Sequence, residues 1–415
     1  MGATNALDQS SLFFSVASKN AEGKIHSILP FSGLGDLNFS RNSVASFRNI
    51  DGQIEFAAAN IARTDFTNGT ANEILFEGAA EMAGSSSFFS DFANVGSTKS
   101  DVASGVITLE ASSRIIEDSA TSEHGQTLAA QAFVIGEQYL ISFFYKGYNV
   151  IGGAARTLKV QLSNGMAGEV HLSPTTNAWL VSSNGVIDSV IDPVQFADGY
   201  YRAAIVLTAT ATAADVAFLL SSDVAPQAAN SYPGDGLSGI DLLGYNCVKG
   251  VALSSYISKS DNNNATVQQR AKDEALLTGL KAKNLIASES GSMALAIQYA
   301  LDASSPIFEL SDGTDQNQII NKLNKIACTT SGIEYESASL GSGELSDPLC
   351  ITWSNSEAFI YFQGEILSTL SYAAASVVDQ LKIQGVEKPS WLRVIMLNAF
   401  KHDAEVAKEI SDLEL

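Results

Sequence analysis

Glu334 and Glu336 in the segment GIEYES fall on one face of any strand that forms there, because strand side chains alternate with a period of two. Two carboxylates facing each other across a cleft could hydrolyse a glycosidic bond. Ala338 takes the next position on that face. Acyl transfer has less to stand on. No G-x-S-x-G occurs, and none of His26, His124, His171 and His402 has both a Ser and an Asp beside it or belongs to an HxH or HExxH pattern. Cys247, Cys328 and Cys350 are odd in number and include no C-x-x-C, which argues against a disulfide framework or a zinc site and for reduced, buried thiols.

The segment GDGLSG from Gly234 to Gly239 matches G-x-G-x-x-G. A dinucleotide site needs a strand before such a segment and a helix after it, so that pyrophosphate meets the helix N-terminus. Here Pro233 precedes it and the strand-like IDLLGYN follows. The reading is therefore a structural turn in which Gly234, Gly236 and Gly239 supply conformations other residues resist. Asp235 and Asp241 are candidates for a calcium site beside backbone carbonyls; stabilising the turn is the commoner role for such an Asp. Calcium is the one cofactor the sequence leaves open.

Sugar binding needs exposed aromatic faces. Trp179, Tyr148 and Tyr145 are the candidates in the first half of the chain, with Trp353 or Trp391 in the second. Aromatics also fill sandwich cores, so each competes with a packing role. Trp179, in the polar context TTNAWLVSSNG, is the best placed for exposure.

The elements that would position these residues are strands. From Ile205 to Ala213, Val206, Thr208, Thr210 and Thr212 take one face and Ile205, Leu207, Ala209 and Ala211 the other, the pattern of a half-buried strand. The apolar run Ala203–Leu220 carries three threonines, Asp215 and the wrong period for a membrane helix. In QYLISFFY, Tyr139, Ile141, Phe143 and Tyr145 share one face and Leu140, Ser142 and Phe144 the other. Ala358–Phe362 followed by Gly364 reads as a hairpin. Asn49–Gln53, around Asp51-Gly52, reads as a tight turn. The fold class is all-β, with two β-sandwiches after an extended N-terminal segment.

At 415 residues, with 46% hydrophobic and 17% charged, the chain can bury more than one core and is not a disordered chain. The net charge of −21, without a Lys/Arg cluster, argues against nucleic acid as a partner. The N-terminus MGATNALDQSSLFF shows no basic region followed by an apolar core, so no secretory leader is expected.

Two stretches carry a resemblance. LNFSRNSVASFRNIDGQIEFAAANIARTDF, followed by EILFEGAA, resembles the entry module of tail-fibre, head-fibre and other appendage proteins of tailed bacteriophages. The segments YR, TATAT and SYPGDGLSGIDLLGYN resemble the carbohydrate-binding-module-like jelly roll of the same family, with Tyr200 and Leu243 where that family has Trp. TSEHGQTLAAQAFVIGEQYLISFFYKG and the closing Ser254, Tyr256 and Ile257 continue the likeness. LCITWSNSEAFIYFQGEILST and the ending WLRVIMLNAFKHDAEVAKEISDLEL resemble concanavalin-like, laminin-G-like sandwiches. Glycosidases of that fold use three acids at i, i+2 and i+4, the last of which Ala338 removes.

The resemblance implies residues 1–85 as an attachment module, 86–258 as a jelly roll, and 283–415 as a concanavalin-like sandwich with a short C-terminal helix carrying Val406, Ile410 and Leu413 on one face; 259–282, where DNNN opens a polar loop, reads as a linker. It implies a non-enzymatic structural protein on the exterior of a virion. Such a protein contacts other virion proteins through residues 1–85, binds host-surface polysaccharide, and assembles as a homo-oligomer, a trimer being favoured. The alternatives are a purely architectural capsid or baseplate component and, last, a glycan depolymerase. No membrane insertion is expected. Arg41, Arg48 and Arg63 of the entry module read as pairing with local acids or capping loops.

Overall fold

The computed structural model describes residues 12–15, 24–27, 36–67, 73–83, 89–107, 110–149, 156–181, 183–222, 231–258, 269–278, 290–300, 305–342, 344–345, 347–354, 356–371, 380–398, 407 and 411. The fold is all-β and built of β-sandwiches. The chain forms two compact units, and their boundaries do not follow the sequence order. One unit joins Met1–Phe47, Ala57–Ala79 and Ala271–Leu415; the other joins Arg48–Phe56 and Ala80–Arg270.

The second of these, the central sandwich, packs two six-stranded antiparallel sheets. In the first sheet the order is Ser97–Val102, Ser112–Glu117, Ser238–Lys249, Gln138–Asn149, Tyr201–Thr208, Ile187–Gln195. In the second it is Ala178–Val181, Gly168–Ser173, Thr157–Ser163, Ala213–Ser221, His124–Ala132, Ala93–Val95. The face of Tyr139, Ile141, Phe143 and Tyr145 points into the core against Leu158, Val160, Phe218 and Leu220. The strand at Ile205 is buried on both faces, not half-buried: Ile205 and Leu207 enter the core, and Val206 packs on the outer side of the sheet. That strand also stops at Thr208, and residues 209–212 turn the chain into Ala213–Ser221.

Straps from the same unit cover much of the outer face of the first sheet. Ile54, Val106, Ile107 and Tyr256 bury Phe144, Phe196, Tyr200 and Leu243, while Ile257 and Met82 pack on Leu140 and Val248. The strap at 254–258 is held by polar anchors. Arg202 Nη1 donates to Ser254 O (2.8 Å), Ile257 N donates to Asn246 Oδ1 (2.8 Å), and Tyr256 Oη and Ser258 Oγ donate to Glu110 (both 2.6 Å). The Arg202 and Asn246 of the jelly-roll motif are thus fasteners. The Asn49–Gln53 turn forms, with Gly52 at φ +78.

The discontinuous unit also packs two antiparallel sheets. One runs Glu365–Leu370, Ala358–Phe362, Leu349–Trp353, Gly291–Ala300, Ser390–Asn398, Glu73–Phe76, Arg63–Asp65; Leu12–Ser15 also pairs with Ser390–Asn398 and Glu344–Leu345 with Gly291–Ala300. The other runs Lys24–Ile25, Leu37–Ser40, Glu274–Leu277, Gln380–Gln384, Phe308–Ser311, Gln318–Lys322, Lys325–Thr330, Ile333–Glu336. Strands from the N-terminal 85 residues therefore sit in both sheets, and Phe39, Ile74 and Phe76 enter one core with Met293, Trp353 and Ile383. Inside the stretch expected to be a linker, Glu274–Leu277 is an interior strand of a sheet. The Ala358–Phe362 hairpin closes through Gln363 and Gly364, both at positive φ (51 and 73).

Arg41 and Arg63 do cap loops, Arg41 Nη2 donating to Ala58 O and Arg63 Nη1 to Ser46 O (both 2.8 Å), but the acid they share is distant in sequence. Both are closed to solvent and meet Asp273: Arg41 Nη1 at 3.1 Å, and Arg63 through Nη2, with Arg63 Nη1 also on Glu77 at 2.6 Å. Arg48 caps Gln195 O (2.8 Å) and lies over the Phe196 ring. At the C-terminal end Ala407 and Ser411 are helical and buried; Val406, Ile410 and Leu413 lie outside the described residues.

Candidate functional site

At one end of the outer face of the first central sheet, Ser100 and Thr98 are exposed and Arg114, Lys146 and Tyr148 are half-buried, and among the described residues the straps do not cover them. Antiparallel register lines up Ser100, Arg114, Asp241 and Lys146 as one transverse row. The next row holds Thr98, Ile116, Gly239 and Tyr148. Because alternate residues share a face, both rows project to the same side.

Tyr148 is half-buried and leans toward Arg114, whose guanidinium carbon lies 3.8 Å from the ring centroid. Arg114 in turn donates to both oxygens of Asp241, Nε to Oδ1 at 2.7 Å and Nη2 to Oδ2 at 2.8 Å. This fork-to-carboxylate pairing fixes the guanidinium plane, and so the ring beside it. Hydrogen bonding to Asp241 raises Arg114 above its usual value. Lys146 Nζ donates to Asp198 O (2.7 Å) and lies 3.6 Å from Asp198 Oδ1. Tyr200, beneath this patch, is buried, and burial pushes its hydroxyl up to about 12, so it stays neutral. Among the described residues the Tyr148 hydroxyl and Arg114 Nη1 have no protein partner. The patch offers a ring and an alternation of donors and acceptors, partly open to solvent.

Of the three glycan candidates, the site contains Tyr148. Tyr145 is a correction: it is fully buried, stacks on Tyr201 at 5.9 Å between ring centroids, and donates its hydroxyl to Asn177 Oδ1 at 3.1 Å. A ring inside the core cannot stack on a ligand. Trp179 lies elsewhere, half-buried against the core, with Nε1 donating to Ile191 O (3.0 Å). It bridges the edge strands Ala178–Val181 and Ile187–Gln195, closing the side of the sandwich. In the discontinuous unit Trp353 is core, and Trp391 donates to Asp65 Oδ1 (3.3 Å).

Both calcium candidates have their oxygens engaged by other groups. Asp241 faces Arg114, as described. Asp235 Oδ1 accepts from Leu237 N and Ser238 N, both at 2.7 Å, and Oδ2 accepts from Ser238 Oγ (2.7 Å) and Arg156 Nη2 (3.3 Å). Among the described residues no three His, Cys, Asp or Glu side chains are grouped to hold a metal ion. In the glycine turn, Gly236 alone needs positive φ (+71); a Cβ at Gly234 or Gly239 would instead strike Asp118 O or Ile115 O at about 2 Å.

Glu334 and Glu336 are exposed on the edge strand Ile333–Glu336. Lys325 (2.8 Å) and Lys322 (3.1 Å) hold Glu336 below the usual carboxylate range, the opposite of what a general acid requires. The three cysteines are free and buried, and burial pushes each thiol up to about 12.

Arg114 and Lys146 were not legible as site residues, because each is an isolated basic residue in its own strand. Only the register brings them beside Asp241.

No family model matches the chain, and no curated protein sequence matches it. Among solved structures the chain is similar to the xylan-binding CBM22-1 domain of Xyn10C from Paenibacillus barcinonensis (12% identity, 42% of this chain and 94% of that one, TM-score 0.25). It is similar also to the tandem CBM22-1–CBM22-2 domains of the same protein (9%, 77% and 98%, TM-score 0.27). A third is the LG4-5 pair of the mouse laminin alpha1 chain (9%, 69% and 92%, TM-score 0.19). These scores carry no role over to this chain, and its fold is assigned from the sheets above.

Proposed function

We propose that the chain is a non-catalytic structural protein that binds glycans through the open end of the first central sheet. The observation that carries this is the Tyr148 ring, half-exposed and held by the Arg114–Asp241 pair, next to a row whose paired side chains keep donor and acceptor positions open to solvent. Aromatic faces backed by fixed polar groups suit sugars, whose CH faces stack while their hydroxyls accept and donate. The virion setting, an exterior appendage of a tailed phage adsorbing to host polysaccharide, rests on the sequence likeness of LNFSRNSVASFRNIDGQIEFAAANIARTDF and SYPGDGLSGIDLLGYN to that family. Weak single contacts would suffice there, since a multimeric particle presents many at once.

The test is a screen of the full chain against host-envelope and plant polysaccharides, followed by titration of the ligands it retains. Tyr148→Ala is expected to weaken binding about tenfold or more, whereas Trp179→Phe, away from the patch, leaves affinity within about twofold. Tight binding to another virion protein, with no glycan retained, would instead make the chain architectural.

A further inference from the structure

The charges at this site point to the kind of glycan, an inference that rests on the glycan reading above. Each cation in the row is matched by its own carboxylate: Arg114 by Asp241 at 2.7 and 2.8 Å, and Lys146 by Asp198 at 3.6 Å. Asp241 is 2% exposed. A uronate, sialate or sulfate group meets no uncompensated cation here: it could reach Arg114 Nη1 only beside the Asp241 carboxylate, whose charge already offsets the guanidinium's. The chain as a whole carries a net charge of −21, so an anionic polymer is also repelled at longer range.

What remains available is uncharged in sum. Arg114 Nη1 and Lys146 Nζ can donate, Asp198 can accept, and the hydroxyls of Tyr148 and Ser100 can do either. We infer that the site selects neutral polysaccharide and rejects polymers bearing carboxylate or sulfate. Binding is correspondingly insensitive to salt, because association brings no unscreened charges together.

The measurement is affinity of the full chain for neutral polysaccharides, for acidic ones, and for the same acidic polymers after carboxyl reduction, each at low and high sodium chloride. Retained ligands are expected to be neutral, with affinity changing less than about twofold between the two salts. Asp198→Asn removes an exposed carboxylate without touching the core, and should raise the affinity of acidic polymers about threefold at low salt. If the tightest ligand is an acidic polymer, lost on carboxyl reduction and weakened steeply by salt, selection for neutral glycans is wrong while glycan binding stands. If no polymer of either kind is retained, glycan binding itself fails, and this inference with it.

Discussion

Asp273 shows how much one side chain can hold. Its carboxylate is closed to solvent between Arg41 and Arg63, and Oδ2 also accepts from Glu77 N at 2.8 Å. Glu77 completes a set of two cations and two anions, all buried. Burial and the charge of Arg63 pull Arg41 below its usual value, so the acids are what keep both guanidiniums comfortable. Such a set is costly to assemble, and breaking it is costlier, because the partner left behind stays buried and unpaired. Asp273→Asn keeps the shape and removes one charge, and is expected to destabilise the discontinuous unit by about 3–5 kcal/mol in urea unfolding. A loss under about 1 kcal/mol would mean that water reaches the cluster. Sequence could not show this. Arg41 and Arg63 lie 232 and 210 residues from Asp273, and nothing near them in the chain announces a partner. Tyr148 was legible as an aromatic in a strand, but its guanidinium neighbour comes from another strand altogether.

Strand existence was the readable part, because alternation is local; pairing was not, because it is decided across the chain. Apart from Arg48–Phe56, the central sandwich begins and ends on neighbouring strands: Ala80 pairs with Arg270, and Glu81 with Gln269. It is an insertion whose two ends nearly meet, within a unit whose strands come from both sides of it. Two outcomes are expected. Joining residues 1–79 to 271–415 through a short Gly/Ser linker should give a folded protein, since closing a short loop costs little. The fragment 283–415 should not fold, because it lacks Glu274–Leu277, the strand between Leu37–Ser40 and Gln380–Gln384, and lacks Glu73–Phe76 beside Ser390–Asn398. Dispersed amide resonances for the joined protein, and their absence for the fragment, would check this. A well-dispersed spectrum from 283–415 would show that the N-terminal strands are accessory. The 259–282 stretch looked like a linker because DNNN opens it; the strand follows only a dozen residues later and is too short to show a period.

Two units with separate cores, one built on Phe143, Phe218 and Tyr245 and the other on Met293, Trp353 and Ile383, give the whole molecule more than one cooperative step. Calorimetry is expected to resolve two transitions, and Asp273→Asn should lower one of them alone. The other should answer to pH through His171. This ring is 1% exposed on the second central sheet, with Nε2 3.5 Å from Glu169 Oε1, and the Lys159–Glu169 pair (3.0 Å) is its charged neighbourhood. Burial depresses His171 first, and Lys159 adds to that, while Glu169 opposes it without prevailing. The folded protein therefore holds fewer protons at this site than the unfolded chain, whose histidine titrates near about 6.5. Stability is full above that value and falls as the pH drops through it toward the depressed folded value. His171→Leu removes the titration while keeping bulk, so the gap between the variant's central transition and the wild type's should move in the variant's favour from about pH 7 to 5. Carboxylate titrations are nearly common to both proteins and cancel in that difference. A gap that stays constant over this range would mean that His171 is charged, or solvated, in the folded state.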